Sequence, residues 1–411
     1  MKKFLTISVS IAMLIVMVFC LVACNGGKGD FNTEELPAVE IEKAWDTTVT
    51  IPADFKAGLI TLHDENSTYD KNFIDAFVSA CNDMGVEYVI SSGKAEDNTC
   101  YEAAKDLVEQ GCDFIMADSF GHEDYIIKAA REFPKVQFCH ATGNQAAIVN
   151  LPNFSNAFAA IYEGRYLAGV AAGLKLNEMI ESGKITADKA KMGYVGAYTY
   201  AEVVSGYTSF YLGAKSVCPS VTMEVQFTGS WYDETAEKEA ANKLITNGCV
   251  LISQHADSMG APSACELAGV PNVSYNGSTV AACPTTFIVS SRINWAPYYK
   301  YVIAEVAAGR HPKVDWTGTI KSGSVELSAI NNDAAAEGTV AKLTEVRAGI
   351  MNGTIKVFDV TKFTVDNGKV LGTDIVDKNV VDGQYKESGI YSAPSFAYSV
   401  DGITKLNEIY D

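Results

Sequence analysis

His63-Asp64-Glu65-Asn66-Ser67-Thr68-Tyr69-Asp70-Lys71-Asn72-Phe73 is a polar stretch lying between two apolar patterns of different period. Before it, Ala57-Gly58-Leu59-Ile60-Thr61-Leu62 is apolar and too short for a helix, which reads as a buried strand. After it, Phe73, Ala76, Phe77, Ala80 and Met84 recur at helical spacing and the pattern stops at Gly85. The polar residues therefore sit where a parallel strand ends and a helix begins. There the free N–H groups of the first helical turn face the crevice that open α/β sheets use for ligands. A strand-to-helix loop can also be only a solvated turn, so the rest of the chain has to decide.

The same alternation continues downstream. Strands are expected at 86–90, 113–117 and 136–140, separated by a helix that Thr99 and Glu102 would open as a capping box and by another that stops at Pro134. Residues 150–156 read as a crossing, followed by a helix over 162–173 and a polar stretch over 178–191. The pattern then restarts, with strands at 192–195, 221–227, 249–253 and 272–275 between helices at 202–214, 235–247 and 262–268. A strand at 287–291 carries the chain back, and a helix over 295–308 returns to the first unit. Strands separated by helices of this length specify a parallel, doubly wound sheet, here twice over. The last ninety or so residues, with turns such as Asp366-Asn367-Gly368, read as irregular strands bracing the two lobes.

Composition agrees with a globular chain of this size. At 411 residues two lobes are the natural prior. A formal charge of −18 with no basic stripe excludes a nucleic-acid partner. Lys2 and Lys3 precede an apolar run from Phe4 to Leu21, the pattern of a secretory signal. The run approaches the ~18 residues needed to span a bilayer, but its Leu21-Val22-Ala23-Cys24 ending resembles a bacterial lipobox, in which the cysteine is lipidated. Residues 1–23 are then a signal peptide and Cys24 the acylated first residue. Residues 24–53 form a polar, acidic tether to a membrane. Eight further cysteines include no Cys-x-x-Cys pair and fall mostly in apolar patterns, which favours buried free thiols; spacing leaves disulfides open.

The strand-end loops carry Asp64, Asn66, Tyr69, Asp70, Ser119 and Phe120 from the first lobe. From the second they carry Tyr198, Tyr200, Glu202, Trp231, Asp257 and Asn276. Aromatic faces mixed with carboxylates and amides suit a flat, hydrogen-bonding ligand. No phosphate loop, dinucleotide fingerprint, His-Glu-x-x-His or nucleophile elbow occurs, so no catalytic residue and no cofactor is expected. His63, His140 and His255, with Asp64 and Asp257 adjacent, are a rival metal set. They lie on different strands without clustered ligand spacing, and no metal is expected.

Asp64 to Phe73 resembles, without gaps, the Asp-x-Gly-Gly-x-Asn-Asp-Lys-Ser-Phe signature of the basic membrane protein (Bmp) family of substrate-binding lipoproteins. It keeps Asp64, Asp70, Lys71 and Phe73, and departs at Asn66, Ser67 and Tyr69. Ser119-Phe120-Gly121, His140-Ala141-Thr142-Gly143, Gly164-Arg165-Tyr166-Leu167-Ala168-Gly169 and Ser230-Trp231-Tyr232-Asp233 are similar to one branch of that family. So are Gln254-His255-Ala256-Asp257-Ser258 and Asn294-Trp295-Ala296-Pro297-Tyr298-Tyr299. The resemblance implies a type I periplasmic-binding-protein fold, two Rossmann-like lobes joined by a multi-crossing hinge. On this chain they would be 54–155 with about 293–320, and 156–292 with about 321–411.

The resemblance also implies a monomeric, extracytoplasmic, lipid-anchored binding component of an ABC importer, delivering a purine nucleoside or nucleobase to a permease. The family's ribose-holding aspartate aligns near Asn276, its following lysine near Arg292, and its second-lobe stacking aromatic at Gly206. These departures bear on ribose recognition, and Trp231, which that branch also has, is the residue that would supply the missing stack. A secreted nucleoside hydrolase with Asp64 and Asp70 as its carboxylates, and a lipoprotein receptor for a sugar or signal molecule, are the alternatives.

Overall fold

The computed structural model describes residues 31–389 and 391–410; the signal segment 1–23 and Cys24 lie outside the described residues. Two sheets dominate. The first has six strands, all parallel, in the order Asp315–Gly318, Phe154–Ala159, Gln137–Ala141, Phe114–Ala117, Lys56–Ile60, Glu87–Ser91. The second has seven, in the order Val325–Leu327, Phe287–Ile293, Asn272–Tyr275, Leu251–His255, Lys191–Gly196, Thr222–Phe227, Ile403–Lys405. Only its Val325–Leu327 edge is antiparallel. Central strands such as Phe114-Ile115-Met116-Ala117 are apolar at every position because helices cover both faces of the sheet, leaving no wet side.

The helix Thr68–Met84 forms where its spacing predicts. Ser67 caps it, accepting from the Asp70 N–H, and Gly85 ends it at a φ of +67°. Its buried face packs Phe73 onto Trp295, with ring centroids 4.3 Å apart, and Phe77 against Tyr299 at 5.1 Å. The helix Ala296–Ala307 is thus fastened to the first lobe, as expected from its apolar face.

Some local expectations are corrected. Thr99 is not a cap: Asp97 accepts its N–H at 2.8 Å, the helix runs Asn98–Glu109, and Glu102 bonds the Asn98 side chain instead. Residues 150–156 are not yet the crossing, because Phe154–Ala159 pairs with Gln137–Ala141 as a further strand of the first sheet. The chain leaves that sheet after Ala159, into a helix of 21 residues, Ile161–Glu181. It passes between the sheets again after Ile293 and after Gly318.

The described part of the expected tether is not free. Thr33–Glu34 pairs antiparallel with Ile330–Asn331, the Glu42 N–H bonds the Lys321 carbonyl at 2.8 Å, and Lys300 of the first lobe sits 5.3 Å from the Trp45 ring. Leu36, Trp45 and Ile51 pack partly into the core, which is why a segment of polar average composition docks.

All eight described internal cysteines are buried free thiols. Burial pushes Cys81 and Cys249 up to about 12, so they are inert packing groups.

Candidate functional site

The strand ends of both sheets meet across a cleft that is shut. The Thr68 N–H and hydroxyl donate to the Asp257 carbonyl at 3.2 and 3.1 Å, and Asn72 Nδ2 donates to Asn276 Oδ1 at 3.2 Å. Phe120 lies over Tyr200, with centroids 5.6 Å apart at 29°, and His63 faces Tyr232 at 5.5 Å.

Behind these contacts is a small cavity of about 20 Å³ in this shut arrangement, room for roughly one water, so a ring-sized ligand needs the lobes to part. Leu62, His63, Tyr69, Asp70, Ser119, Phe120 and Thr142 line it from the first lobe. Glu202, Trp231, His255, Asp257 and Tyr275 line it from the second. A larger, more open groove runs beside the N-terminal segment. Four of its charged groups are already paired, Lys71 with Asp75 at 2.9 Å and Arg292 with Glu326 at 2.8 Å, and Arg347 donates to the Pro37 carbonyl. The enclosed cavity is therefore the stronger candidate.

Of the residues expected at the site, Tyr69, Asp70, Ser119, Phe120, Glu202, Trp231 and Asp257 come together around the cavity. Asp64 and Asn66 do not line it. Both are exposed, and Asn66 donates its backbone and side-chain N–H groups to Asp64 Oδ1 at 3.0 and 2.9 Å, forming a turn at the outer mouth. Asn276 is buried but is spent on the contact between lobes, reaching Asn72 and, at 3.5 Å, Asp257. Tyr198 and Tyr200 stack on each other at 5.1 Å, and Trp231 packs edge-on against Tyr198 at 5.3 Å and tilted against Tyr200 at 6.1 Å. Tyr200 thus backs the wall that Phe120 and Trp231 form.

Gly206, where the family's stacking aromatic would fall, faces His255. A Cβ there would lie 2.6 Å from His255 Nδ1, so no side chain fits, and the second lobe brings Trp231, Tyr275 and His255 to the cavity instead.

The electrostatics are acidic. Burial, then the charge of Asp70, pushes Asp118 far above the usual carboxylate range. Asp257 is raised likewise by burial and then by Asp70. Burial also works on Asp70, but hydrogen bonds from His63 and Ser67 outweigh it and hold its carboxyl low. Burial drives His255 below its ordinary value against the opposing pull of Glu202, whose Oε1 is 3.5 Å from Nε2. Asp70 held low beside Asp257 held high gives the wall both an acceptor and a carboxyl donor.

Beneath it lies Arg165, fully buried on Ile161–Glu181. It donates to Tyr194 Oη at 2.7 Å, Ser253 Oγ at 3.0 Å and the Gln254 carbonyl at 3.2 Å, and its guanidinium is 5.1 Å from the Tyr275 ring. It ties the crossing helix to the strands that carry the second-lobe site residues.

His140 is occupied with the Ser119 carbonyl at 2.7 Å, His63 with Asp70 at 3.4 Å and His255 with Glu202. Among the described residues no three His, Cys, Asp or Glu side chains assemble into a metal set.

Sequence reasoning missed Leu62, Thr142 and Tyr275 as lining residues, and weighed His63 and His255 only as metal ligands. Tyr275 ends a strand and Thr142 directly follows one, which is the signal that could have flagged them.

Residues 60–361 match the family described as ABC transporter substrate-binding protein PnrA-like. The chain belongs to this family. It is 32% identical over 274 residues to a purine-binding protein of Brucella abortus, covering 66% of this chain and 73% of that one. It is 26% identical over 225 residues to the nucleoside-binding protein BmpA of Lactococcus lactis, covering 52% and 58%. A Haloferax volcanii ABC transporter protein provisionally named for glucose binding is 31% identical over 211 residues, 51% of this chain and 50% of that one.

Among solved structures, ABC transporter solute-binding proteins of Conexibacter woesei and Aeropyrum pernix superpose with TM-scores of 0.59 and 0.60. Their identities are 20% and 16%, and each covers 74% of this chain and 98% and 92% of its own. They share the type I periplasmic-binding fold. Among the described residues no helix is long and apolar enough to cross a membrane.

Proposed function

We propose that this protein is the lipid-anchored, extracytoplasmic binding component of an ABC importer and that it captures a purine, as nucleobase or nucleoside, in the cavity between its lobes. The observation that carries the reading is that Phe120 and Trp231, from opposite lobes, line one cavity together with buried carboxyl and hydroxyl groups. Flat heteroaromatic rings satisfy both features, stacking on the aromatic faces while their edges reach the polar groups. The relatives named for purine and nucleoside binding support the same class. Engagement of Asn276 by Asn72 and Asp257, where the resemblance would place the ribose-holding aspartate, favours the bare base.

Capture is a population shift. Ligand contacts with both lobes stabilise the shut arrangement that Thr68, Asn72 and Phe120 make with the second lobe, and the monomer then presents it to a permease. No covalent step is involved. Incubation with inosine should release no free base, and release would turn the reading to a hydrolase.

Calorimetric titration with adenine, guanine, hypoxanthine, adenosine, guanosine, inosine and glucose, together with mass spectrometry of co-purifying small molecules, tests the ligand class. Binding of a purine is expected; binding of glucose alone would move the assignment to a sugar receptor. Cys24→Ser should shift the protein from the membrane to the soluble fraction, and retention on membranes would remove the anchor from the proposal.

A further inference from the structure

Thr142 and Asn276 occupy equivalent places in the two lobes. Each is the residue directly after the fourth principal strand of its sheet. Each sends its N–H to a carbonyl of the next strand, Thr142 to Ala157 at 3.1 Å and Asn276 to Ser291 at 2.9 Å. Each has a left-handed backbone, with φ of +67° and +62°. Asparagine enters that region readily, whereas a β-branched residue there is strained. The first lobe thus places one of the least suitable side chains at this turn.

That side chain lines the cavity, is 4% exposed, and its hydroxyl finds no hydrogen-bond partner among the described residues. Across the cavity Tyr275, 1% exposed, has a hydroxyl that is likewise unpartnered. Unpaired buried hydroxyls are costly, and a strained one more so. Tyr298 and Tyr299 also lack partners among the described residues, but they lie in the first-lobe core against Trp316 and Phe77 and do not line this cavity. Thr142 alone joins strain, burial and an orphaned donor at the cavity wall.

We propose that Thr142 and Tyr275 read the edge of the bound ring from the two lobes, Tyr275 donating to a ring nitrogen and Thr142 hydrogen-bonding the opposite polar edge, and that this pair sets which purine is taken. The assignment rests on the purine reading above and deepens it. Burial, with Glu202 beside it, keeps the Tyr275 phenol protonated, so it remains a donor throughout the physiological range. A threonine hydroxyl donates or accepts, so its partner is fixed by the ligand edge it meets. A site built on such hydroxyls discriminates strongly, because a ligand lacking the matching group leaves them unpaired again.

The test uses Thr142→Val, Thr142→Ser and Tyr275→Phe in the full chain. Valine keeps the β-branch and the backbone strain and removes only the hydroxyl; serine keeps the hydroxyl. Titration with adenine, hypoxanthine and guanine should show Thr142→Val and Tyr275→Phe about 10–100-fold weaker for the purine the parent binds best, with the order among purines altered. Thr142→Ser should stay within about 3-fold. The ligand-free melting temperature of Thr142→Val should hold or rise, because an unpaired buried polar group is gone. Unchanged affinities and an unchanged order in both hydroxyl-deleted variants would overturn this assignment while leaving the purine reading intact. A parent protein that binds no purine would overturn the purine reading, and this assignment with it.

Discussion

Asn72 of the first lobe donates its side-chain amide to Asn276 Oδ1 of the second at 3.2 Å, and both residues are buried. With the Thr68 bonds to the Asp257 carbonyl, this is the direct polar link that holds the cleft shut. A neutral buried hydrogen bond contributes about 0.5–1.5 kcal/mol. Asn72→Ala should therefore weaken ligand binding about 2–10-fold and raise the radius of gyration of the ligand-free protein in small-angle scattering. Unchanged scattering and affinity would mean that the link does not govern closure.

Trp231 touches Tyr198 and Tyr200 with its ring, while its carbonyl accepts the Asp257 N–H at 2.9 Å, a bond that any side chain preserves. Truncation should leave that loop in place and remove one wall of the cavity. Trp231→Ala is expected to lose on the order of 1–3 kcal/mol of purine binding, with little change in ligand-free melting temperature. Ligand should also quench the parent's tryptophan emission. Equal affinity for every bound purine would take Trp231 out of the site.

Mild acidity should stabilise the fold. Burial pushes Glu237 and Glu387 each up to about 7, and both are essentially unexposed. Between the ordinary carboxylate value near 4.5 and about 7 the folded state holds protons that the unfolded chain has released. Stability from these groups is thus complete at low pH and is lost as pH rises through that window. Asp118 and Asp257, also raised, act in the same direction. Buried His122, His140 and His255, held below the ordinary histidine value near 6.5, oppose this trend below that pH. The ligand-free melting temperature should therefore fall from about pH 6.5 to pH 8, by on the order of 1–2 kcal/mol in free energy, and Glu237→Gln should flatten the trend. A melting temperature that rises over this range contradicts the assignment.

The two-lobed parallel architecture was legible because it rests on signals that survive averaging: short apolar runs alternating with helical periodicity. The cavity aromatics Phe120 and Trp231 were legible for a related reason, being large rings in polar strand-end loops. Thr142 was not, since nothing in His140-Ala141-Thr142-Gly143 announces a left-handed backbone; that conformation is imposed by the bond to Ala157 on the next strand. Asn66 misled because a polar residue in a ligand-facing loop looks the same whether it turns inward or, as here, closes a turn on Asp64. The docking of the N-terminal segment was hidden by composition, where a few apolar anchors such as Leu36 and Trp45 are diluted by acidic neighbours.

That segment gives a prediction of its own. Thr33–Glu34, Glu42 and Arg347 hold it by backbone bonds, the last through the Pro37 carbonyl, and Trp45 reaches Lys300. It therefore touches elements of both lobes, on the side where the chain crosses between them. Deleting residues 32–49 should destabilise the protein by on the order of 2–4 kcal/mol, the scale of one or two partly buried apolar side chains with their strand pairing. An unaltered melting curve would show that the segment rides on the surface as a free linker.

Asp64 and Asp70, both expected at the site, take different places in the structure. Ser67, not Asp70, caps the helix, and Asp64 is exposed with its oxygen spent on Asn66. Asp70 is fully buried at the cavity, accepting the His63 N–H at 2.8 Å and the Ser67 hydroxyl, and its low-held carboxyl is the wall's buried negative charge. Asp70→Asn should cost about 1–3 kcal/mol of stability through the disturbed buried acceptors and should also weaken purine binding. Asp64→Ala should change affinity less than about 2-fold, since it disturbs only a solvated turn. Its effect on stability should stay within about 0.5 kcal/mol. Paired titrations and thermal melts of the two variants decide it: a larger loss of affinity in Asp64→Ala than in Asp70→Asn would return the outer turn to the binding site.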